Sequence, residues 1–250
     1  MAHQVALFIT CLTDQFYPHV GVAVTKLLER FGCTVDFPQS QTCCGQPFFN
    51  NGFHPQARDL ATRFVEIFEP YEYIVTPSGS CAAMVREQYE YLLKDDAALA
   101  PRMHKVTHKT YEFVEFLDKV LKVDLTKLNL PKQESITYHY TCHLRGIGVK
   151  DEGVRLLRQI GNVDFRAMEK TDQCCGFGGT FAVKYPAISG AIVEDKVNCI
   201  EATGARTLVC NDAGCTMNIS GMCHRRGLDV RTKHIAELMA EAMGIDLTGW

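Results

Sequence analysis

Apolar residues along this chain follow one rhythm twice. Gln4 to Thr10 (QVALFIT) is a short, mostly apolar run that ends at Cys11, and Ser135 to Thr141 (SITYHYT) ends the same way at Cys142. Both predict strands. Beyond Cys11 the period lengthens: Val20, Val24, Leu27, Leu28 and Phe31 recur at helical spacing and stop at Gly32, a good residue just past a helix end. Val154, Leu157 and Ile160 do likewise before Gly161. The tripeptide Val-Asp-Phe then closes a second strand in both places, at Val35–Phe37 and Val163–Phe165. Helices over roughly 54 to 68 and 186 to 202 precede third strands at Tyr73–Thr76 and Thr207–Cys210. More helix follows, where Phe113, Phe116, Leu117 and Val120 match Ile235, Leu238, Met239 and Ala242.

Strands alternating with helices predict an α/β fold of two pseudo-symmetric repeats with mainly parallel sheets, joined by right-handed connections. The polar stretch Lys122 to Glu134, with Pro131 in it, reads as the link, so the repeats are placed at 1–130 and 131–250. Ligands of such sheets bind beyond the carboxyl ends of the strands.

The chain of 250 residues is 46% apolar, ample for a real core. A net charge of −3 with a pI near 6.3 gives no reason to expect nucleic acid or an anionic membrane as partner. The start, MAHQVALFIT, has no basic n-region, and no apolar run approaches the ~18 residues of a membrane span. A cytoplasmic setting is therefore expected, where twelve cysteines point to metal or catalysis and not to disulfides.

Eight of the twelve are in register. The pairs Cys43-Cys44 and Cys174-Cys175 are each followed by glycine, and each has a single cysteine upstream (Cys11, Cys142) and another downstream (Cys81, Cys215). Cys11, Cys43 and Cys44 are related to Cys142, Cys174 and Cys175 by one constant offset, and only the step from Cys81 to Cys215 is slightly longer, as expected of two equivalent metal sites in a duplicated chain. All follow strands, so they gather at the strands' carboxyl ends. Neighbouring side chains of extended backbone point to opposite faces, and two vicinal thiols reach a common site only through a turn, which Gly45 and Gly176 permit. Two vicinal thiolates crowd a single ion but suit a polynuclear cluster, and the C-x-x-C knuckle usual for zinc is absent from the sequence. Four thiols per half match one [4Fe–4S] cluster each, up to two per chain, with zinc at one site as the alternative. Cys33, Cys199 and Cys223 have no counterpart in the other half and read as small core residues; Cys210 reads as a strand residue.

The arrangement Cys-x31-Cys-Cys-Gly-x35-Ser-Gly-Ser-Cys, repeated with small changes, resembles the duplicated CCG cysteine-rich domain found in the B subunit of heterodisulfide reductase, the C subunit of anaerobic glycerol-3-phosphate dehydrogenase and the lactate utilisation protein A group. The segments FPQSQTCCGQP, TPSGSC, GVKDE, CCGFGGTF, NISG and HIAE look most like the last of these. That resemblance implies an iron–sulfur electron-transfer subunit of an L-lactate oxidising system, yielding pyruvate only together with a ferredoxin-like iron–sulfur subunit and a further small subunit. A thiol–disulfide redox subunit of the heterodisulfide reductase type and a zinc-containing structural subunit are the competing readings. This sequence departs from the five-cysteine form of the motif, since Ser78 and Asp212 stand three residues before Cys81 and Cys215. An ordinary four-cysteine cluster is therefore the expectation, with oxygen ligation by Ser78 or Asp212 as a variant.

Gly176-Phe177-Gly178-Gly179 lacks the spacing of a nucleotide loop and predicts a tight turn. His143 follows a ligand candidate directly and could hydrogen-bond a sulfur; His54, His139 and His234 show no paired metal-ligand spacing. No catalytic residue is identified.

Overall fold

A computed structural model describes residues 2–249. Its strands are β1 (Gln4–Leu7), β2 (Thr34–Asp36), β3 (Tyr73–Thr76), β4 (Thr110–Glu112), β5 (Asn129–Tyr138), β6 (Gly161–Phe165), β7 (Thr207–Cys210) and β8 (Arg231–His234). They form two four-stranded parallel sheets, ordered β2-β1-β3-β4 and β6-β5-β7-β8. The order is the same in both, so the chain consists of two pseudo-symmetric α/β repeats, as the apolar pattern predicts.

Strand alternation divides the core into three. Val5, Leu7 and Val75 of the first sheet and Ile136, Tyr138 and Val209 of the second face a central core. Helices of both repeats fill it: Pro18–Arg30 packs on Ile235–Ala242, and the turn at Phe113–Glu115 on Glu152–Leu157. Each pairs an early helix of one repeat with a closing helix of the other, burying apolar stripes that a single repeat would leave wet. The outer faces have separate cores, Phe8, Phe64, Phe68 and Ile74 on the first sheet and Val193, Val197, Ile200 and Leu208 on the second.

Helix Pro18–Arg30 ends as its sequence predicts: Gly32 takes φ +85° and the Cys33 N–H bonds to the Leu28 carbonyl. The polar link is shorter than expected. β5 begins at Asn129, inside the stretch Lys122–Glu134, and Pro131 sits where its pairing with β6 shifts register between Asn129 and Glu134. A proline without an N–H is tolerated at such an irregularity. The fourth strands, TYE and RTKH, are too short and polar to stand out in an apolar pattern.

Candidate metal centre

The carboxyl ends of both sheets open onto one cavity of about 380 Å³, and all eight registered cysteines line it. Cys11 opens the helix Cys11–Phe16 behind β1, and Cys142 the short 3-10 helix Cys142–Arg145 behind β5. Cys81 and Cys215 sit in the first turns of helices Gly79–Ala83 and Ala213–Arg225, behind β3 and β7. The vicinal pairs lie in the loops after β2 and β6. Each pair splits toward two partners. Cys43 Sγ is 3.6 Å from Cys11 Sγ, while Cys44 Sγ is 3.4 Å from Cys81 Sγ; in the other repeat Cys175 Sγ is 3.1 Å from Cys215 Sγ. The turn that allows this is left-handed at Gly45 (φ +88°) and Gly176 (φ +81°), and their N–H groups donate to the sulfurs of Cys43 and Cys174 at 3.5 and 3.3 Å.

Crowding makes these thiols share protons. Hydrogen bonds from Cys11 and Cys44 lower the Cys43 pKa to about 3, and those from Cys142 and Cys175 lower Cys174 to about 2. Their partners move the other way: Cys11, Cys44, Cys142 and Cys175 are pushed up, first by the hydrogen bond to the neighbouring thiolate and then by burial, which Cys215 partly opposes at Cys175. A set that yields its first proton readily and withholds the rest is one whose protons a cation can replace. Soft thiolates in sets of four, buried at one end, fit iron–sulfur or another thiophilic metal better than a hard ion.

Ser78 and Asp212 are not free to act as ligands. Ser78 caps its helix by accepting from the Cys81 N–H at 3.3 Å, and its hydroxyl donates to Asp212 Oδ2 at 2.9 Å. The same oxygen accepts the Ser80 N–H at 3.0 Å, while Oδ1 accepts the N–H groups of Gly214 (3.0 Å) and Cys215 (3.4 Å). Asp212 thus ties both thiol-bearing helices together with four donors. The absent fifth cysteines are replaced by two helix caps bonded to each other.

Two residues at this edge carried no sequence signal of their own. An imidazole nitrogen of His139 and the sulfurs of Cys175 and Cys215 all lie within 4.8 Å of one another, a His/Cys/Cys group able to hold a metal ion. Burial, then the charge of Lys196, holds His139 down to about 3, so the ring is neutral and ligand-competent. Its donors come from the residue just after β5, a loop and the first turn of helix Ala213–Arg225, which no local spacing reveals. Lys196 lies fully buried below the loop that leads to Cys174. Both stand out only when one repeat is laid on the other: by the offset that relates Cys11 to Cys142, His139 takes the place of Phe8. His143 places Nδ1 3.7 Å from Cys142 Sγ and Nε2 3.5 Å from Gln46 of the other repeat. His54 stacks on Phe49, and His234 caps a helix. Cys33 and Cys223 are packed in cores, Cys199 lies against one, and Cys210 is fully buried at the end of β7. None of these four lines the cavity.

Comparison with known proteins agrees with this geometry. Residues 5–86 and 136–220 each match the CCG cysteine-rich domain. Lactate utilization protein A of Halalkalibacterium halodurans is 46% identical over 237 residues, covering 94% of this chain and 96% of that protein. The chain belongs to the lactate utilization protein A family of duplicated CCG domains. Its Bacillus licheniformis and Bacillus subtilis members are each 44% identical over 94% of this chain and 98% of their own length. A crystal structure of a hypothetical protein from Helicobacter pylori shares the fold, with a TM-score of 0.63 at 11% identity over 96% of this chain. This chain spans about half of that one, 49%. No helix among the described residues is long and apolar enough to cross a membrane.

Proposed function

We propose that this chain is an iron–sulfur electron-transfer subunit of an L-lactate oxidising system. The observation that carries the reading is the convergence of two registered sets of four thiols on one cavity, in a chain whose relatives bear the name lactate utilization protein A. Cys11, Cys43, Cys44 and Cys81 of repeat 1–130 would hold one cluster, and Cys142, Cys174, Cys175 and Cys215 of repeat 131–250 the other. When bound, such clusters supply one-electron redox steps. Two of them match the two electrons released when lactate becomes pyruvate.

The residues around the cavity do the rest. Gly45 and Gly176 donate N–H groups to sulfur, Asp212 fixes the spacing of the two ligand helices, and the outer cores exclude water from the inner thiols. Removing hydrogen from an alcohol carbon also needs a positioned base and a two-electron acceptor, which this reading assigns to partners, a ferredoxin-like iron–sulfur subunit and a further small subunit. A second reading, zinc at one site, rests on the His139, Cys175 and Cys215 group, whose ligand types suit that ion.

Assaying the anaerobically purified, cluster-loaded chain with L-lactate and an artificial acceptor tests the proposal. The chain should be reduced and reoxidised chemically but turn over lactate only when partner subunits are added. Robust turnover by the chain alone would make it a complete enzyme and defeat the electron-carrier reading.

A further inference from the structure

The two thiol sets stand on unlike ground. A side chain added at Gly45 would meet Ala57 and Leu60, and one added at Gly176 would meet Ser189 and Ile192, so Ala57 corresponds to Ser189 and Leu60 to Ile192. By that helix register Lys196 stands where the first repeat has Phe64, and by the strand register that relates Cys11 to Cys142 His139 stands where it has Phe8. Phe8 and Phe64 are a buried edge-to-face pair, with ring centroids 4.9 Å apart. Their replacements are as deeply buried, at 1% exposure for His139 and 0% for Lys196.

The replacements bring a cation without a counter-charge and an unspent ring nitrogen. Lys196 Nζ donates to the carbonyls of Lys170 at 2.7 Å and Thr171 at 3.3 Å and reaches Met168 Sδ at 4.0 Å, and among the described residues no carboxylate pairs with it. His139 Nδ1 is buried with no hydrogen-bond partner, while a nitrogen of the ring lies within 4.8 Å of Cys175 and Cys215. Burying an unpaired cation is costly, and the aromatic pair of the first repeat shows that this fold does not require one. The cost is offset where negative charge collects near it: Cys199 and Asp172 act on Lys196 first, and Cys175 and Cys174 of the second set after them.

We infer that the second thiol set is the higher-potential centre of the two, and that Lys196 and His139 make it so. The inference rests on the iron–sulfur reading above. Reduction potential follows the net charge around a cluster and the hydrogen bonds to its sulfurs. A buried ammonium acts through protein instead of water and favours the added electron, and an imidazole presents a polar edge to Cys175 and Cys215 that a phenyl ring cannot. Electrons entering at either set then come to rest in the second. Lys196 and His139 are positioning residues in this scheme.

Redox titration of the anaerobically reconstituted full chain, followed by electron paramagnetic resonance, reads both centres without lactate turnover. Two waves are expected, the upper missing in C215S and the lower missing in C81S. K196M should lower the reduced-to-oxidised ratio of the upper wave about tenfold at a fixed poise, which is about 59 mV for one electron, and leave the lower wave in place. H139F should lower it about threefold. The double variant H139F/K196F installs the pair that packs in the first repeat and guards against a result caused by misfolding; its two waves should converge. An upper wave unmoved in both K196M and the double variant, or one that disappears in C81S, would overturn the inference while leaving two clusters standing. A reconstituted wild type with no cluster spectrum would instead remove the iron–sulfur reading, and this inference with it.

Discussion

Where the first repeat caps its closing helix with the carboxyl group of Glu112, the second uses the imidazole of His234, and where the first caps the helix bearing Cys81 with Ser78, the second caps that bearing Cys215 with Asp212. The strands beneath are equivalent, Thr76 pairing with Glu112 as Cys210 pairs with His234. Through all this the thiols keep their places. Their spacing follows from strand lengths and the turns at Gly45 and Gly176, which admit few alternatives, whereas a cap needs only an acceptor of the right reach. Duplication has therefore held the thiol-bearing edge constant and let the charge around it diverge.

The Glu112 and His234 caps should titrate in opposite senses. Burial pushes the Glu112 carboxyl from 4.5 up to about 8, against hydrogen bonds from Asn211, Val114 and Glu115. Its contribution is complete below pH 4.5 and is lost as pH rises through 8, on the order of 5 kcal/mol in all. Burial lowers His234 from 6.5 to about 4, so its contribution is complete above pH 6.5 and is lost as pH falls toward 4, on the order of 3 kcal/mol. Urea unfolding across this range should show E112Q flattening the upper limb and H234N the lower. Profiles that shift without changing shape would show that neither cap titrates on unfolding.

The second pair of caps should differ in size instead of sign. Asp212→Ala strands four donors at the junction of the repeats and should cost about 3–5 kcal/mol, because a buried charge network loses its centre. Ser78→Ala removes one cap and one of those donors and should cost about 1–2 kcal/mol. Equal losses in denaturant midpoint would mean that Asp212 does not tie the two thiol-bearing helices together.

Much of this was legible in the sequence. Periodicity located β3, β7 and the helices His54–Phe68 and Pro186–Ala202, because each is long or apolar enough to impose its period. Register marked the eight cysteines that line the cavity. Short polar strands such as RTKH escaped, since neighbours across the sheet make them strands. The bond between Ser78 and Asp212 escaped for a related reason: it joins two distant residues across the pseudo-symmetric junction, and the sequence shows them only as departures from the five-cysteine motif. His139 and Lys196 become informative only beside Phe8 and Phe64, when the repeats are compared position by position.

Iron and acid-labile sulfide, counted after anaerobic reconstitution of the wild type and of the C44S and C175S chains, address the central claim most directly. Two independent thiol sets predict about eight irons with matching sulfide in the wild type and loss of about half on either substitution. Loss of all the iron from either single change, or stoichiometric zinc with no sulfide, would contradict it.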